Sequence, residues 1–250
     1  MLEHEIACDV VFILNAEDGS AYEMKAHKYI LISRNPVFYA MLMNDTRDKS
    51  EKITITDVLP NAFKALLNFL YSENCQITPD LVLPILYASK KYIIPKLAKN
   101  CVKFLEENMN NENVCLIYDH CLMFEETELA KKCEKFLEIN TENVLKPQII
   151  TTLSESALKN LLKLPVVSVS EISLFNACLV WGKNECKKKE LDSQSIEHLR
   201  AILKDILLYI HFPSMTNEEF AEVSRTSLLN PEERLIFFNY KNCNFQKLNF

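Results

Sequence analysis

Apolar positions alternate near the start of the chain and fall at helical spacing later. Residues 9–14 form a β-branched apolar run, Asp-Val-Val-Phe-Ile-Leu, that predicts a strand. Glu17-Asp18-Gly19-Ser20 supplies turn chemistry, and residues 21–25 return as a second strand of a hairpin. After His27 the period changes. Asn35 and Pro36 read as a cap and a first-turn proline, followed by Val37, Phe38, Met41 and Leu42 at helical spacing. Residues 49–52 are charged and loop-like, and residues 53–56 alternate as a third strand. From Pro60, Phe63, Leu66, Leu67, Leu70 and Tyr71 make one continuous apolar stripe, with Asp57 and Pro60 placed as cap and helix start. Residues 75–77 predict a short edge strand, and residues 81–92 and 94–108 two further helices parted near Pro95.

The run Asn-Met-Asn-Asn-Glu-Asn at residues 108–113 breaks the composition. Before it, strands and helices mix; after it, nearly every apolar pattern is helical. Helices are predicted over residues 114–123, 128–139, 154–162, 170–186, 195–208 and 217–224. Thr216 and Glu219 have capping-box spacing, and Asn230-Pro231-Glu232-Glu233 opens a last helix with a cap, a proline and acids at its positive end. The chain therefore divides into an α+β unit over residues 1–109 and an all-α unit over residues 110–250, whose first helix pair spans 110–140.

Four N-terminal segments stand in the order and spacing of a known domain: Cys8-Asp9-Val10-Val11-Phe12, Ala26-His27-Lys28-Tyr29-Ile30-Leu31, Pro36-Val37-Phe38-Tyr39-Ala40-Met41, and the stripe from Phe63 to Leu70-Tyr71. They resemble BTB/POZ domains, in which a small sheet is clad by helices. Lys91-Tyr92-Ile93-Ile94-Pro95, Leu122-Met123-Phe124-Glu125-Glu126-Thr127-Glu128-Leu129, and Ala177 with Val180-Trp181 and Glu185-Cys186 look like the BACK helical domain that follows. The pattern is most similar to the BTB–BACK part of the cullin-3 adaptors that carry a PHR domain.

The resemblance implies an adaptor of a cullin-3 RING ubiquitin ligase that binds the cullin-3 N-terminal domain, forms a homodimer and presents a protein substrate of unknown identity. It assigns the cullin contact to Met41, Met43, Asp45, Thr46, Arg47, Asp48, Tyr87, Lys91 and Tyr92, and a charged pocket near the dimer interface to Asp9 and Lys28. The helix pair at residues 110–140 would offer a shallow apolar groove to the cullin's N-terminal extension. Two departures from the family pattern change the expectation. Seven residues precede Cys8, so the N-terminal helix and strand that the family exchanges between subunits are expected to be absent or truncated and the homodimer weakened. Thr46-Arg47-Asp48 stands where the family has a hydrophobic residue, any residue and Glu, and losing an aliphatic anchor at an interface centre costs ~2 kcal/mol or more. Weakened cullin binding follows, and the alternative is a self-associating scaffold or competitive regulator without productive cullin binding. No substrate-capturing domain is visible, so substrate choice is expected to lie elsewhere or on the helical unit.

Composition narrows the chemistry further. Only two glycines, Gly19 and Gly182, occur in 250 residues, which disfavours glycine-rich phosphate loops and propeller blades. The net charge is −6, with no basic stripe for nucleic acid, and Lys187–Lys189 between Glu185 and Glu190 reads as a solvated helix end. No apolar stretch is long enough for a membrane helix. Nine scattered cysteines read as reduced, mostly buried thiols of a cytoplasmic or nuclear protein.

No catalytic, cofactor or metal residue is assigned. His27 reads as a structural histidine bonded to backbone, because no serine or cysteine nucleophile has a context that pairs it with a base. Cys115, His120, Cys121 and Cys133 lack a C-x-x-C pair, and the adjacent His120 and Cys121 point to different helix faces, which disfavours zinc. The acid pairs Glu106-Glu107, Glu125-Glu126, Glu218-Glu219 and Glu232-Glu233 fall at helix ends or turns, where capping and solvation explain them. The apolar residues Leu235-Ile236-Phe237-Phe238, Tyr240 and Phe250 read as the core of the last helix, with docking of a partner or further domain as the alternative.

Overall fold

A computed structural model describes residues 6–16, 19–43, 52–164 and 169–246, with side chains given to Phe237 and at Asn239. It divides into two compact units, Met1–Asn108 and Met109–Phe250. Among the described residues three strands form a single sheet and thirteen α-helices account for most of the chain.

In the first unit, β1 (Val10–Asn15) lies between β2 (Ala21–Ala26) and β3 (Ile53–Ile55), antiparallel to the former and parallel to the latter. Alternation does the sorting: Val10, Phe12 and Leu14 are buried, and Ile53 and Ile55 join them from β3. The hairpin closes where the Ala16 N–H donates to Ser20 O (2.8 Å) and Gly19 takes φ +82°, a left-handed turn that glycine adopts without strain. Helices α1 (Lys28–Arg34), α2 (Pro36–Met43), α3 (Pro60–Ser72), α4 (Val82–Lys91) and α5 (Pro95–Glu107) complete the unit. On α3 the predicted stripe is buried at Phe63, Leu66, Leu67 and Leu70.

An aromatic cluster holds these elements together. Phe12 of β1 meets Phe38 of α2 and Phe63 of α3 edge-on, at centroid distances of 5.7 and 5.1 Å. Tyr92, just past α4, stacks on Phe38 at 4.8 Å and meets Phe63 edge-on at 5.9 Å. Beside them Asn35 is 2 % exposed. Its Oδ1 accepts the Phe38 N–H (2.9 Å) as the predicted cap of α2, while its Nδ2 donates to Tyr92 O (2.6 Å). One side chain thus starts α2 and fixes the end of α4.

The second unit is helical throughout its described residues: α6 (Val114–Phe124), α7 (Thr127–Val144), α8 (Pro147–Ile150), α9 (Glu155–Leu162), α10 (Glu171–Lys188), α11 (Ile196–Leu203), α12 (Asn217–Arg225) and α13 (Pro231–Gln246), with two 3-10 turns at Leu207–Tyr209 and Phe212–Ser214. Ser154, Ser170 and Ser195 cap α9, α10 and α11 through their hydroxyls, and Thr216 and Glu219 complete both bonds of the capping box. Trp181, 2 % exposed, donates from Nε1 to Leu153 O (2.9 Å) and so ties α10 to the segment before α9. Gly182 lets α10 approach Leu203, since a Cβ there would lie 2.8 Å from a Leu203 methyl.

Several expectations are corrected. Residues 75–77 are not a strand; the chain leaves α3 through the left-handed Glu73 (φ 57°), and beyond the segment the Leu81 and Val82 N–H groups turn back onto Thr78 O to open the next helix. Asp57 does not cap α3, because Leu59 holds the cap position with Pro60 first in the helix. α7 runs on past residue 139 to Val144, its polar-looking end sustained by buried Thr141, whose hydroxyl donates to Leu137 O (2.6 Å). α11 stops at Leu203, and the apolar residues beyond it turn into 3-10 geometry. On α13, Leu235 and Ile236 are 60 % and 63 % exposed, and only Phe237 packs, 5.0 Å from Phe212; the side chains of Phe238, Tyr240 and Phe250 lie outside the described residues.

Replacing Asn35 by Ala removes the α2 cap and strands the Phe38 N–H and the Tyr92 carbonyl in the interior. The cost should be about 3 kcal/mol, visible as a lowered urea midpoint with an unchanged slope.

Candidate interaction surface

The predicted partner contact draws on α2 and α4. Met41 is half-buried on α2 and Met43 is 56 % exposed at its end. Asp45, Thr46, Arg47 and Asp48 lie outside the described residues. On α4, Tyr87 and Lys91 are four residues apart and share a face. Tyr92 is fully buried in the aromatic cluster, so its side chain is a core element rather than a surface contact. It belongs instead to the support that holds α4 against α2.

Asp57, in the connection from β3 to α3, organises that face. Its Oδ2 accepts from the Tyr87 hydroxyl (2.9 Å), and both of its oxygens accept from the Lys91 ammonium. The hydrogen bond from Lys91 holds the Asp57 carboxyl below its ordinary 3.8; burial opposes this and the Tyr87 hydroxyl adds to it. The same bond to Asp57 raises the Tyr87 hydroxyl above its ordinary 10.0. The Lys91 ammonium also lies 5.6 Å from the Tyr92 ring centroid, against the aromatic face. Sequence spacing shows that Tyr87 and Lys91 share a helix face; it carries no sign of Asp57, which lies 30 and 34 residues away from them.

The predicted charged pocket has a different construction. The Asp9 carboxylate accepts the Lys28 main-chain N–H (2.7 Å), not its ammonium. It thereby satisfies one of the unpaired donors at the start of α1 and sits at the positive end of that helix. His27, 8 % exposed, is anchored on both ring nitrogens: Nε2 lies 2.7 Å from Ile6 O and Nδ1 2.8 Å from the Tyr71 hydroxyl, which also accepts the His27 main-chain N–H. A carbonyl only accepts, so the proton belongs on Nε2 and Tyr71 donates to Nδ1. This is the structural histidine that the sequence predicts.

In the second unit α6 and α7 pack through Ile117, Tyr118 and Cys121 against Leu129, Cys133 and Leu137. Leu116 (46 %), Leu122 (45 %) and Met123 (65 %) remain exposed on α6. The Asp119 carboxylate fixes α6 to α9 by accepting from Ser156 (2.7 Å) and Asn160 (3.0 Å). Cys115, Cys121 and Cys133 are buried in this packing, and burial pushes the Cys115 thiol up to about 12. His120 stacks on Phe124 (5.9 Å), with burial lowering its pKa. No group of three metal-ligating side chains converges among the described residues.

The acid pairs take helix-end roles. Glu219 completes the capping box, and Glu233 forms a reciprocal pair with Asn230 while gripping Arg200 at 2.8 and 2.9 Å.

A BTB/POZ domain model matches residues 1–109, and a BACK (BTB And C-terminal Kelch) model matches residues 114–225. The chain is similar to BTB/POZ domain-containing protein 6 of Xenopus laevis, 36 % identical over all of this chain and 47 % of that protein. The human protein of that name is 34 % identical over all of this chain and 46 % of its own length. Human BTB/POZ domain-containing protein 3 is 33 % identical over 88 % of this chain and 42 % of its own length. The chain thus spans about half the length of the curated relatives it matches. The solved BTB domain of zebrafish PATZ1 superposes with a TM-score of 0.34 at 17 % identity, over 40 % of this chain and 77 % of that one, a likeness too loose to carry weight.

Replacing Asp57 by Asn should cost less than about 1 kcal/mol near neutral pH, as befits a half-exposed pair. A depressed carboxyl pKa contributes stability that is complete above the unfolded value and is lost as pH falls through the folded one. The difference between wild type and variant should therefore shrink below the ordinary value of 3.8. Urea unfolding at about pH 6 and about pH 3 checks this.

Proposed function

Because the chain belongs to the proteins that join a BTB/POZ domain to a BACK domain, generally non-enzymatic protein-interaction adaptors, we propose that it is a substrate adaptor of a cullin-3 RING ubiquitin ligase. The observation that carries the proposal is that Met43 is exposed at the end of α2, that Asp57 orders Tyr87 and Lys91 on one face of α4, and that the Phe38–Tyr92 stack joins α2 to the end of α4. An aliphatic side chain on one helix and an ordered aromatic and cation on the other are suited to docking a helical partner, because aromatic and aliphatic anchors supply most of the energy at interface centres. The exposed Leu116, Leu122 and Met123 of α6 offer a second apolar strip to an extension of the same partner.

The chemistry required of such an adaptor is positional. It forms no bond with substrate; it raises the local concentration of a bound protein beside the ubiquitin carrier. The Asp9–Lys28 neighbourhood lies near the self-association face, where a homodimer forms. The cytoplasm or nucleus is the compartment of action. The substrate and its binding site belong to the proposal only as a class, a protein captured by the whole molecule.

Thr46 and Asp48 motivate a second reading, a self-associating scaffold or competitive regulator without productive cullin binding. Calorimetric titration with the cullin-3 N-terminal domain separates the two. The adaptor reading expects saturable binding with a Kd in the micromolar range, tightened about tenfold or more by Thr46→Leu with Asp48→Glu. No heat at tens of micromolar from the wild type, with binding restored in the double variant, selects the regulator. Silence from both rejects the placement of the interface.

A further inference from the structure

Helix α4 ends in a corner that turns directly into α5. The Tyr92 N–H returns to Ala88 O (2.9 Å), the Ile93 N–H to Lys90 O (3.1 Å) and the Ile94 N–H to Ser89 O (2.8 Å), and Pro95 begins α5. A helix closed in this way places the residue after its cap in left-handed backbone, a position that glycine usually holds. Here Ile93 holds it, at φ 52°. Five other non-glycine residues have positive φ among the described residues: Ala7, Glu73, Glu125, Glu190 and Ser227. Ile93 alone of the six carries a branched β-carbon, which that region tolerates least. Its neighbours serve the core, Tyr92 at 0 % and Ile94 at 7 % exposed, whereas Ile93 is 59 % exposed. Burial therefore does not offset the strain. Glycine or asparagine would close the same corner more easily, and strain kept at an exposed side chain points to a function for that side chain.

The charge around the corner indicates what the side chain meets. In a chain of net charge −6, residues 81–105 contain Lys90, Lys91, Lys96, Lys99 and Lys103 and no aspartate or glutamate. Lys91 and Lys96, on either side of the corner, are held by Asp57 and Glu73 from outside the stretch. Lys90 and Lys99 are exposed.

We propose that Ile93 is an apolar anchor for the partner that docks on α4, entering a recess of that partner rimmed by carboxylates. On the adaptor reading, on which this rests, the partner is the cullin-3 N-terminal domain. Ile93 takes the place of Tyr92, which the family resemblance puts in the contact and the aromatic core withdraws from it. The anchor continues the α4 face along the chain: Lys91, fixed with Tyr87 by Asp57, stands two residues before it. Its backbone is set before binding by three main-chain bonds and two buried neighbours, so docking orders only one side chain. The lysines draw an acidic surface in and govern the encounter rate, while Ile93 governs how long the complex lasts.

Calorimetric titration of the whole chain with the cullin-3 N-terminal domain tests this, with urea unfolding and light scattering on the same samples. Ile93→Asn and Ile93→Gly suit left-handed backbone; each should weaken the complex about tenfold or more. Their urea midpoints should be no lower than that of the wild type, and Ile93→Leu should bind within about threefold of it. Lys90→Glu with Lys99→Glu should weaken binding several-fold at about 50 mM salt and much less at about 500 mM. Should the wild type give no heat, the same substitutions are compared in the Thr46→Leu, Asp48→Glu background. Unchanged affinity in Ile93→Asn and Ile93→Gly overturns the anchor and leaves the adaptor reading standing. Lowered urea midpoints assign Ile93 to the fold, and a changed mass with unchanged affinity assigns it to contact between copies of the chain; either overturns the proposal. Tighter binding after the lysine reversal overturns the acidic rim. Silence from the wild type and the double variant alike removes the adaptor reading and the anchor with it.

Discussion

The contact between Phe38 and Tyr92, with Asn35 beside it, is the constraint on which the first unit depends. Phe38 comes from α2 and Tyr92 from the end of α4, and both touch Phe63 of α3. The stacked pair desolvates two large rings, while Asn35 satisfies the main-chain groups that such packing buries. Loosen it and the end of α4 loses its fixed position against α2. The surface proposed for partner binding is therefore only as ordered as the aromatic core beneath it. That dependence explains why Tyr92 falls in a segment shared with the family pattern although it never reaches solvent.

Most of the polar chemistry in this chain is spent on ending helices. Asp9 meets α1 from a neighbouring strand end, serines open α9, α10 and α11, and Thr216 with Glu219 and Asn230 with Glu233 close reciprocal caps. Each satisfies N–H groups that a helix leaves unpaired, typically contributing about 1 kcal/mol. A helical scaffold with few glycines needs many such ends. Carboxylates committed in this way accept hydrogen bonds from main-chain N–H groups at helix starts.

What was legible in the sequence is what local spacing controls. The stripe from Phe63 to Leu70, the alternation of β1, the Asn35–Pro36 start of α2 and the capping box at Thr216 each follow from periodicity or capping chemistry within a few residues. Features built by long-range contact were not legible. Asp57 looked like a cap because of its distance from Pro60, yet it serves a helix 30 residues on. The family resemblance places Tyr92 in the partner contact, and only the three-way packing with Phe38 and Phe63 reveals its burial. Residues 140–143, Asn-Thr-Glu-Asn, read as a loop because their side chains compete for backbone; in place, the Thr141 hydroxyl bonds within the helix. The apolar spacing past Leu203 fits a 3.0-residue turn as well as a 3.6-residue one over so short a run.

The central proposal is that the α2–α4 surface of the BTB unit receives the cullin-3 N-terminal domain and that exposed residues of α6 meet an extension of it. Amide hydrogen exchange of the chain with and without that domain in excess tests it most directly. Slowed exchange should appear at the end of α2, along α4 around Tyr87 and Lys91, and in α6, with α10–α13 unchanged. Protection confined to α10–α13, or none anywhere under conditions where a complex forms, would contradict it.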